Sequence, residues 1–236
     1  MSPSLTGRLP IVTIDGPAGA GKSTLASHLA RRFGLLNLET GAMYRAFALK
    51  SLASNISPDD AVALEDLTCN TSIRLEPAAT GNTVYLDGVD VTSQLRNPEI
   101  TEAASRVSVH PAVRTWMVSL QRKLGEQGGV VMEGRDIGTA VFPDADVKIF
   151  LDAAPETRGL RRYQQTDTTT ETQPESVIRE MKDRDERDRN RAQSPLRAAA
   201  DAVIIDSTHL TLDEVITRAE AIIAERLSPR PLPASL

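Results

Sequence analysis

Ile11-Val12-Thr13-Ile14 is a β-branched run closed by Asp15-Gly16-Pro17, the pattern of a buried strand that ends in a loop. Leu25, Leu29 and Phe33 then fall at i, i+4 and i+8, one apolar stripe with Gly34 as its stop, so a helix is expected. Leu35-Leu36-Asn37-Leu38 reads as a second short strand, and a helical stretch follows Thr40-Gly41 over about residues 42–52. Between residues 67 and 92 the period drops to two, with Ile73 and Leu75, then Val84 and Leu86, and Asp87-Gly88 as a hairpin turn. A small antiparallel insert is predicted there. Helical signals resume over about residues 98–124. Gly129-Val130-Val131-Met132, Val147-Lys148-Ile149-Phe150-Leu151 and Val203-Ile204-Ile205 supply three more strands. The last helix opens with Thr211 and Glu214 spaced as a capping box and carries Val215, Ile216, Ala219, Ile222 and Ile223 on one side. Strands alternating with helices predict an α/β fold, a mainly parallel sheet covered on both faces. Ligands then bind beyond the carboxyl ends of the strands.

Composition narrows the functions this frame can serve. At 236 residues the chain is one large domain rather than a multidomain assembly. A single cysteine, Cys69, excludes an intrachain disulfide and a cysteine-rich zinc ribbon. The formal charge of -5 provides no global positive field for nucleic acid, and 3% aromatic residues are too few for a stacking platform. No apolar run approaches the roughly 20 residues that span a bilayer, and the polar start lacks a signal-peptide apolar region, so a cytoplasmic protein without membrane contact is expected. Any anionic ligand must therefore find its cationic contacts concentrated locally.

Such a concentration begins in the loop after the first strand. Gly16-Pro17-Ala18-Gly19-Ala20-Gly21-Lys22-Ser23 has the spacing G-x-x-x-x-G-K-[ST], between a strand and an amphipathic helix. Small residues let successive backbone N–H groups converge on a polyphosphate, and the following helix N-terminus adds its dipole. Lys22 would bridge the terminal phosphates, and Ser23 would offer its hydroxyl to Mg²⁺. The motif specifies a nucleoside triphosphate site and leaves the phosphate acceptor open. No guanine-reading Asn-Lys-x-Asp occurs, which argues against a switch GTPase.

Polar clusters end the other strands: Glu39-Thr40-Gly41, Glu133-Gly134-Arg135-Asp136 and Asp206-Ser207-Thr208. Arginines recur where a second phosphate would need them, at Arg45, Arg114, Arg135 and several positions between 158 and 191, and their planar fork binds phosphate in a bidentate manner. Residues 175–191 hold six basic and six acidic side chains, the composition of a solvated, salt-bridged helix. Arg184, Arg187, Asp188 and Arg191 nevertheless share one helical face that can address a cleft. Residues 163–173, rich in Thr and Gln without an apolar stripe, read as a short lid that excludes water.

The blocks Ile14-Asp15-Gly16-Pro17-Ala18-Gly19-Ala20-Gly21-Lys22-Ser23, Thr40-Gly41-Ala42-Met43-Tyr44-Arg45, Glu133-Gly134-Arg135-Asp136-Ile137-Gly138-Thr139, Val141-Phe142-Pro143-Asp144-Ala145 and Asp188-Arg189-Asn190-Arg191 together resemble the bacterial-type cytidylate kinases over about residues 9–227. The resemblance implies transfer of the γ-phosphoryl of Mg·ATP to CMP or dCMP by a monomer. It also implies a P-loop five-stranded parallel sheet flanked by helices, with the small antiparallel β insert and a short lid. Disordered tails at 1–9 and 228–236 would flank one kinase domain at 10–227. Its core would be 10–40, 125–155 and 195–227, its monophosphate-binding region 41–124, and its lid and charged helix 156–194.

Carried over by motif, the resemblance places ATP at Gly16, Pro17, Ala18, Gly19, Ala20, Gly21, Lys22, Ser23 and Thr24, with Ser23 at the metal. Thr40, Arg114 and Asp136 would meet the cytosine base, and Arg45, Arg135 and Arg191 the acceptor phosphate. Ser105, Arg184 and Asp188 would face the sugar, while Lys22, Arg135, Arg158 and Arg162 would neutralise the transferring phosphates. A carboxylate such as Asp136 can accept from the exocyclic amine of cytosine, which uracil lacks. Glu39 and Glu133 stand where the family pattern more often has Asp. Two other readings share the phosphate loop: a kinase for uridylate, adenylate or a non-nucleotide acceptor, and a nucleotide-dependent binding module.

Overall fold

The β-branched and apolar runs become the strands of one parallel sheet in the computed structural model, which describes residues 9–78, 81–164 and 173–227. The expected tails, but for Leu9, and most of the expected lid lie outside the described residues. The chain opens with β1 (Ile11–Asp15), α1 (Lys22–Phe33), β2 (Leu36–Glu39), α2 (Thr40–Ala53) and α3 (Ala61–Cys69). The insert follows as β3 (Ile73–Ala78), β4 (Gly81–Leu86) and β5 (Val89–Asp90), then α4 (Pro98–Val107) and α5 (Pro111–Leu124). The second half comprises β6 (Val130–Gly134), a π-helical turn at Ile137–Val141, β7 (Val147–Asp152), α6 (Pro155–Gln164), α7 (Pro174–Asn190), β8 (Val203–Asp206) and α8 (Leu212–Leu227).

Strand order in the main sheet is β2-β6-β1-β7-β8, all parallel. β1 lies at the centre, buried along its whole length, because Ile11, Val12 and Ile14 meet apolar residues on both faces. The register pairs Asp15 with Gly134 and Glu39 with Glu133, so three strands end level with one another. The loops after β1, β2 and β6 therefore leave the sheet side by side. One face is covered by α1 and α8, through Leu25, Leu29, Val215, Ala219 and Ile223. A second cluster joins α2, α4 and α5 to the insert around Phe47, Met43, Val84 and Met117, all essentially inaccessible to water.

Local signals fix several ends. Gly34 caps α1 with φ 68°, a left-handed conformation that costs glycine little. The Thr211–Glu214 box closes α8: the Thr211 amide and hydroxyl each donate to Glu214 Oε2 at 2.8 Å. Two departures from the sequence reading stand out. The helical stretch at 98–124 is two helices, broken before Pro111, whose fixed φ starts a new helix at its first turn. α3 also has no counterpart in the periodicity; Leu64 is its one fully buried side chain, so no stripe marks it.

The insert is tied to the outer edge of β2 through one side chain. Asn82 accepts from the Glu39 amide at 3.0 Å and donates to the Asn37 carbonyl at 2.8 Å. Its amide thus supplies the hydrogen bonds that another strand would have given that edge.

Candidate active site

The phosphate loop takes its shape from what surrounds it. A Cβ on Gly16 would run into the Leu151 carbonyl oxygen of β7, and φ is +147° there, so only glycine fits. The N-cap of α1, Gly21, provides no side-chain cap, which leaves the first amides of the helix open to an anion. Ser23 and Thr24 are exposed, whereas Lys22 is buried and its Nζ donates to the Pro17 carbonyl at 2.6 Å. Asp15 fastens this loop to its neighbour. Its Oδ1 accepts from the Ile137 amide at 2.8 Å and its Oδ2 from the Gly138 amide at 2.7 Å.

That neighbouring loop carries Arg135 and Asp136. Asp136 is buried and accepts on Oδ2 from Arg114 of α5 and on Oδ1 from Arg191, the latter at 3.4 Å. Arg114 also donates to the Ser108 carbonyl at 3.2 Å, and its guanidinium lies 5.8 Å from the Tyr44 ring centroid. Asp188 of α7 accepts from Arg135 at 3.0 Å and from Arg191 at 3.4 Å. Thr40 donates its hydroxyl to the Glu133 carbonyl at 2.7 Å, and Arg45 pairs with Glu39. The Ser105 hydroxyl, Arg45 Nε, Arg114 Nε and Arg184 Nε are buried without a hydrogen-bond partner. Arg114, Asp136, Arg191, Asp188 and Arg135 thus form one chain of ion pairs, Thr40 and Arg45 bond groups at the ends of β6 and β2, and Ser105 and Arg184 contribute unpaired polar atoms.

Several cations lie close enough here to repel one another. Burial, then the charge of Arg135, pushes Lys22 down to about 7. Burial and Arg135 likewise bring Arg184 down to about 10, with Arg45 and Arg187 adding repulsion. Asp188 is held below the ordinary carboxylate range: burial opposes its charge, but Arg135, Arg184 and Arg191 outweigh it. Asp15 is pushed up to about 6 by burial, against its two amide donors. Glu133 is raised by burial and by Glu39 beside it. A polyphosphate would relieve the crowding of cations directly.

The lid-side arginines differ from one another. Arg158 is buried; it donates from Nε to the Ala153 carbonyl and from Nη1 to the Ala18 carbonyl, both at 2.8 Å, and pairs with Asp185 at 2.6 Å. Arg161 reaches the Ser207 carbonyl at 2.8 Å, and Arg162 lies exposed on the same helix. For a metal, the donors near Lys22 are hard oxygens: the exposed Ser23 hydroxyl, next to it in the chain, and Glu133 Oε1, buried without a partner. This set fits Mg²⁺, which takes one or two protein ligands plus nucleotide phosphates, and among the described residues no larger cluster of His, Cys, Asp or Glu competes.

Sequence reasoning gave no specific role to Asp15, Tyr44 or Asp185. Asp15 had a usable signal, a carboxylate at a strand end immediately before the first loop glycine. Asp185 had none, since the Ala18 amide it meets is 167 residues away.

Comparison with known proteins settles the family. Residues 12–225 match the family model described as cytidylate kinase. The chain belongs to the cytidylate kinase family. A cytidylate kinase of Solibacter usitatus is 49% identical over 221 residues, covering 92% of this chain and 94% of that one. One from Syntrophotalea carbinolica is 45% identical over 217 residues, covering 92% of each chain. Membership makes the chain a nucleoside monophosphate kinase by class.

Proposed function

We propose that this member of the family transfers the γ-phosphoryl group of ATP to CMP or dCMP, giving ADP and the cytidine diphosphate. The observation that carries the proposal is the crowding of Arg135 and Arg184 against the buried Lys22, with Arg45 beside Arg184. Lys22, Arg45, Arg135 and Arg184 are a set of neighbouring cations that two sets of phosphates would neutralise. Phosphoryl transfer asks for little else, because catalysis consists of alignment and electrostatic stabilisation.

On this reading ATP lies along Gly16, Pro17, Ala18, Gly19, Ala20, Gly21, Lys22, Ser23 and Thr24. Arg45, Arg135 and Arg191 hold the acceptor phosphate, Ser105, Arg184 and Asp188 face the sugar, and Thr40, Arg114 and Asp136 read the base. Arg114 and Arg191 orient Asp136, so its carboxylate accepts from the cytosine amine and opposes the carbonyl oxygen that uracil presents instead. Ser23 and Glu133 would hold Mg²⁺, which supplies charge neutralisation for the donor phosphates. Arg158 and Arg162 serve from the lid side. The family resemblance extends the proposal to a cytoplasmic monomer in pyrimidine nucleotide metabolism, with residues 41–124 as the acceptor-binding region and 156–194 as the lid and its charged helix. Among the described residues no helix is long and apolar enough to cross a membrane.

The test is ADP release from Mg·ATP, alone and with CMP, dCMP, UMP, AMP, GMP or shikimate, using Lys22→Ala as the blank. Strong stimulation by CMP and dCMP over a small acceptor-free rate is expected. Stimulation by another acceptor alone, or by none, would overturn the assignment.

A further inference from the structure

We infer that Asp185 is a positioning residue for the phosphate loop, acting through Arg158 and the Ala18 peptide. Both polar groups of that peptide are held from outside the loop. Its carbonyl accepts from Arg158 Nη1 at 2.8 Å, and its amide donates to Asp185 Oδ1 at 3.4 Å. Asp185 Oδ2 pairs with Arg158 Nη2 at 2.6 Å, closing a ring of three residues from three separate parts of the chain. Arg158 is 1% exposed and Asp185 6%, so water does not substitute for either partner.

Packing repeats the connection independently. A Cβ on Gly19 would come within 2.5 Å of Met181 Cε, which places α7 directly against the loop beside Ala18. A Cβ on Gly159 would reach 3.2 Å from Ile178 Cα, so α6 and α7 approach each other at backbone distance. The loop, α6 and α7 are therefore packed against one another, and the Arg158–Asp185 pair is their polar link. Asp185 lies on the loop side of this arrangement, whereas Asp188 and Arg191, three and six residues further along the chain, pair with Arg135 and Asp136.

The kinetic arm of the test rests on the proposed kinase activity; the exchange arm does not. Asp185→Asn keeps the shape but cannot accept from both Arg158 and Ala18 as a carboxylate does. In the ligand-free full chain, amide exchange in peptides covering residues 16–21 should quicken at least tenfold, while the β6 peptides stay unchanged. The KM for ATP should rise at least fivefold, with the KM for CMP within twofold of the parent. Lys182→Ala is the control, since it breaks the exposed Lys182–Glu156 pair between the same helices without touching the loop, and should change neither reading. Unchanged loop exchange in folded Asp185→Asn would overturn the inference, as would an equal rise in both KM values. Loop exchange that quickens equally in Lys182→Ala would also overturn it, by assigning the effect to general loosening of α6 and α7. Should Asp185→Asn not fold, Asp185→Glu is read by the same exchange comparison. If no acceptor stimulates turnover, the proposed function fails while the exchange result still decides the role of Asp185.

Discussion

Replacing Lys22 by Met should abolish turnover and at the same time make the ligand-free protein more stable at neutral pH. Lys22 is 6% exposed, and burial together with Arg135 brings its folded value from 10.5 to about 7. The unfolded chain keeps that proton up to about 10.5 and the folded one releases it near 7, so the unfolded state binds more protons between the two values. Stability from this group therefore rises with pH across that window and is lowest below it. A shift of this size corresponds to about 4 kcal/mol of cost on the ammonium at pH 7. Met removes the cost, in which the attraction of Glu133 and Asp15 is already counted, but forfeits the hydrogen bond to the Pro17 carbonyl, about 1 kcal/mol. The net gain is about 3 kcal/mol, or a rise in Tm of roughly 6–12 °C for a domain of this size. Thermal unfolding of both proteins from pH 6 to 9.5 reads it: the parent should gain on the variant as pH rises. A Tm for Lys22→Met at or below the parent's at pH 7 would refute the argument that the site holds an uncompensated cation. Binding of ATP should also draw a proton onto Lys22 at pH 8, seen by calorimetry in two buffers of different ionisation enthalpy and absent in the variant.

Three further outcomes follow from the same geometry. Asp136→Ala should lower the preference for CMP over UMP by about 10- to 100-fold, the worth of a good polar contact to a base edge; competition assays that return the parent's ratio would exclude Asp136 from base reading. Arg191→Met, which removes a partner from both Asp136 and Asp188, should raise the KM for CMP at least tenfold more than that for ATP, and equal changes would remove Arg191 from the acceptor side. Gly159→Ala forces a methyl against Ile178 between α6 and α7, so a loss of about 1–3 kcal/mol is expected in denaturant melts, and an unchanged midpoint would contradict the close approach.

The elements that carry the phosphates were legible in the sequence because their signals are local. The run from Ile11 to Ile14, the glycines that follow and the stripe of α1 lie within one short stretch, and each agrees with the next. α3 was not legible, because a single buried leucine leaves no period to detect. Of the face chosen from spacing along α7 and its C-cap, Asp188 and Arg191 are buried, whereas Arg187 turns outward to Glu102 of α4, and Asp185, outside that face, is buried too. Spacing ranks positions around a helix; it does not say how far the buried arc extends. Strand order was beyond reach for another reason. The neighbours of β1 lie more than a hundred residues downstream, so nothing in their own sequence declares which strand they will flank.

That same remoteness sets a timetable on the ribosome. The glycine turn at residue 16 is shaped by the Leu151 carbonyl, and the Ala18 peptide by Arg158 and Asp185. At a synthesis rate of roughly 5–20 residues per second, the 167 residues between Ala18 and Asp185 take about ten to thirty seconds to appear. The nascent chain spends that interval with its most diagnostic motif made but unsupported. A chain halted anywhere before α7 emerges would carry the nucleotide signature without the means to grip a nucleotide.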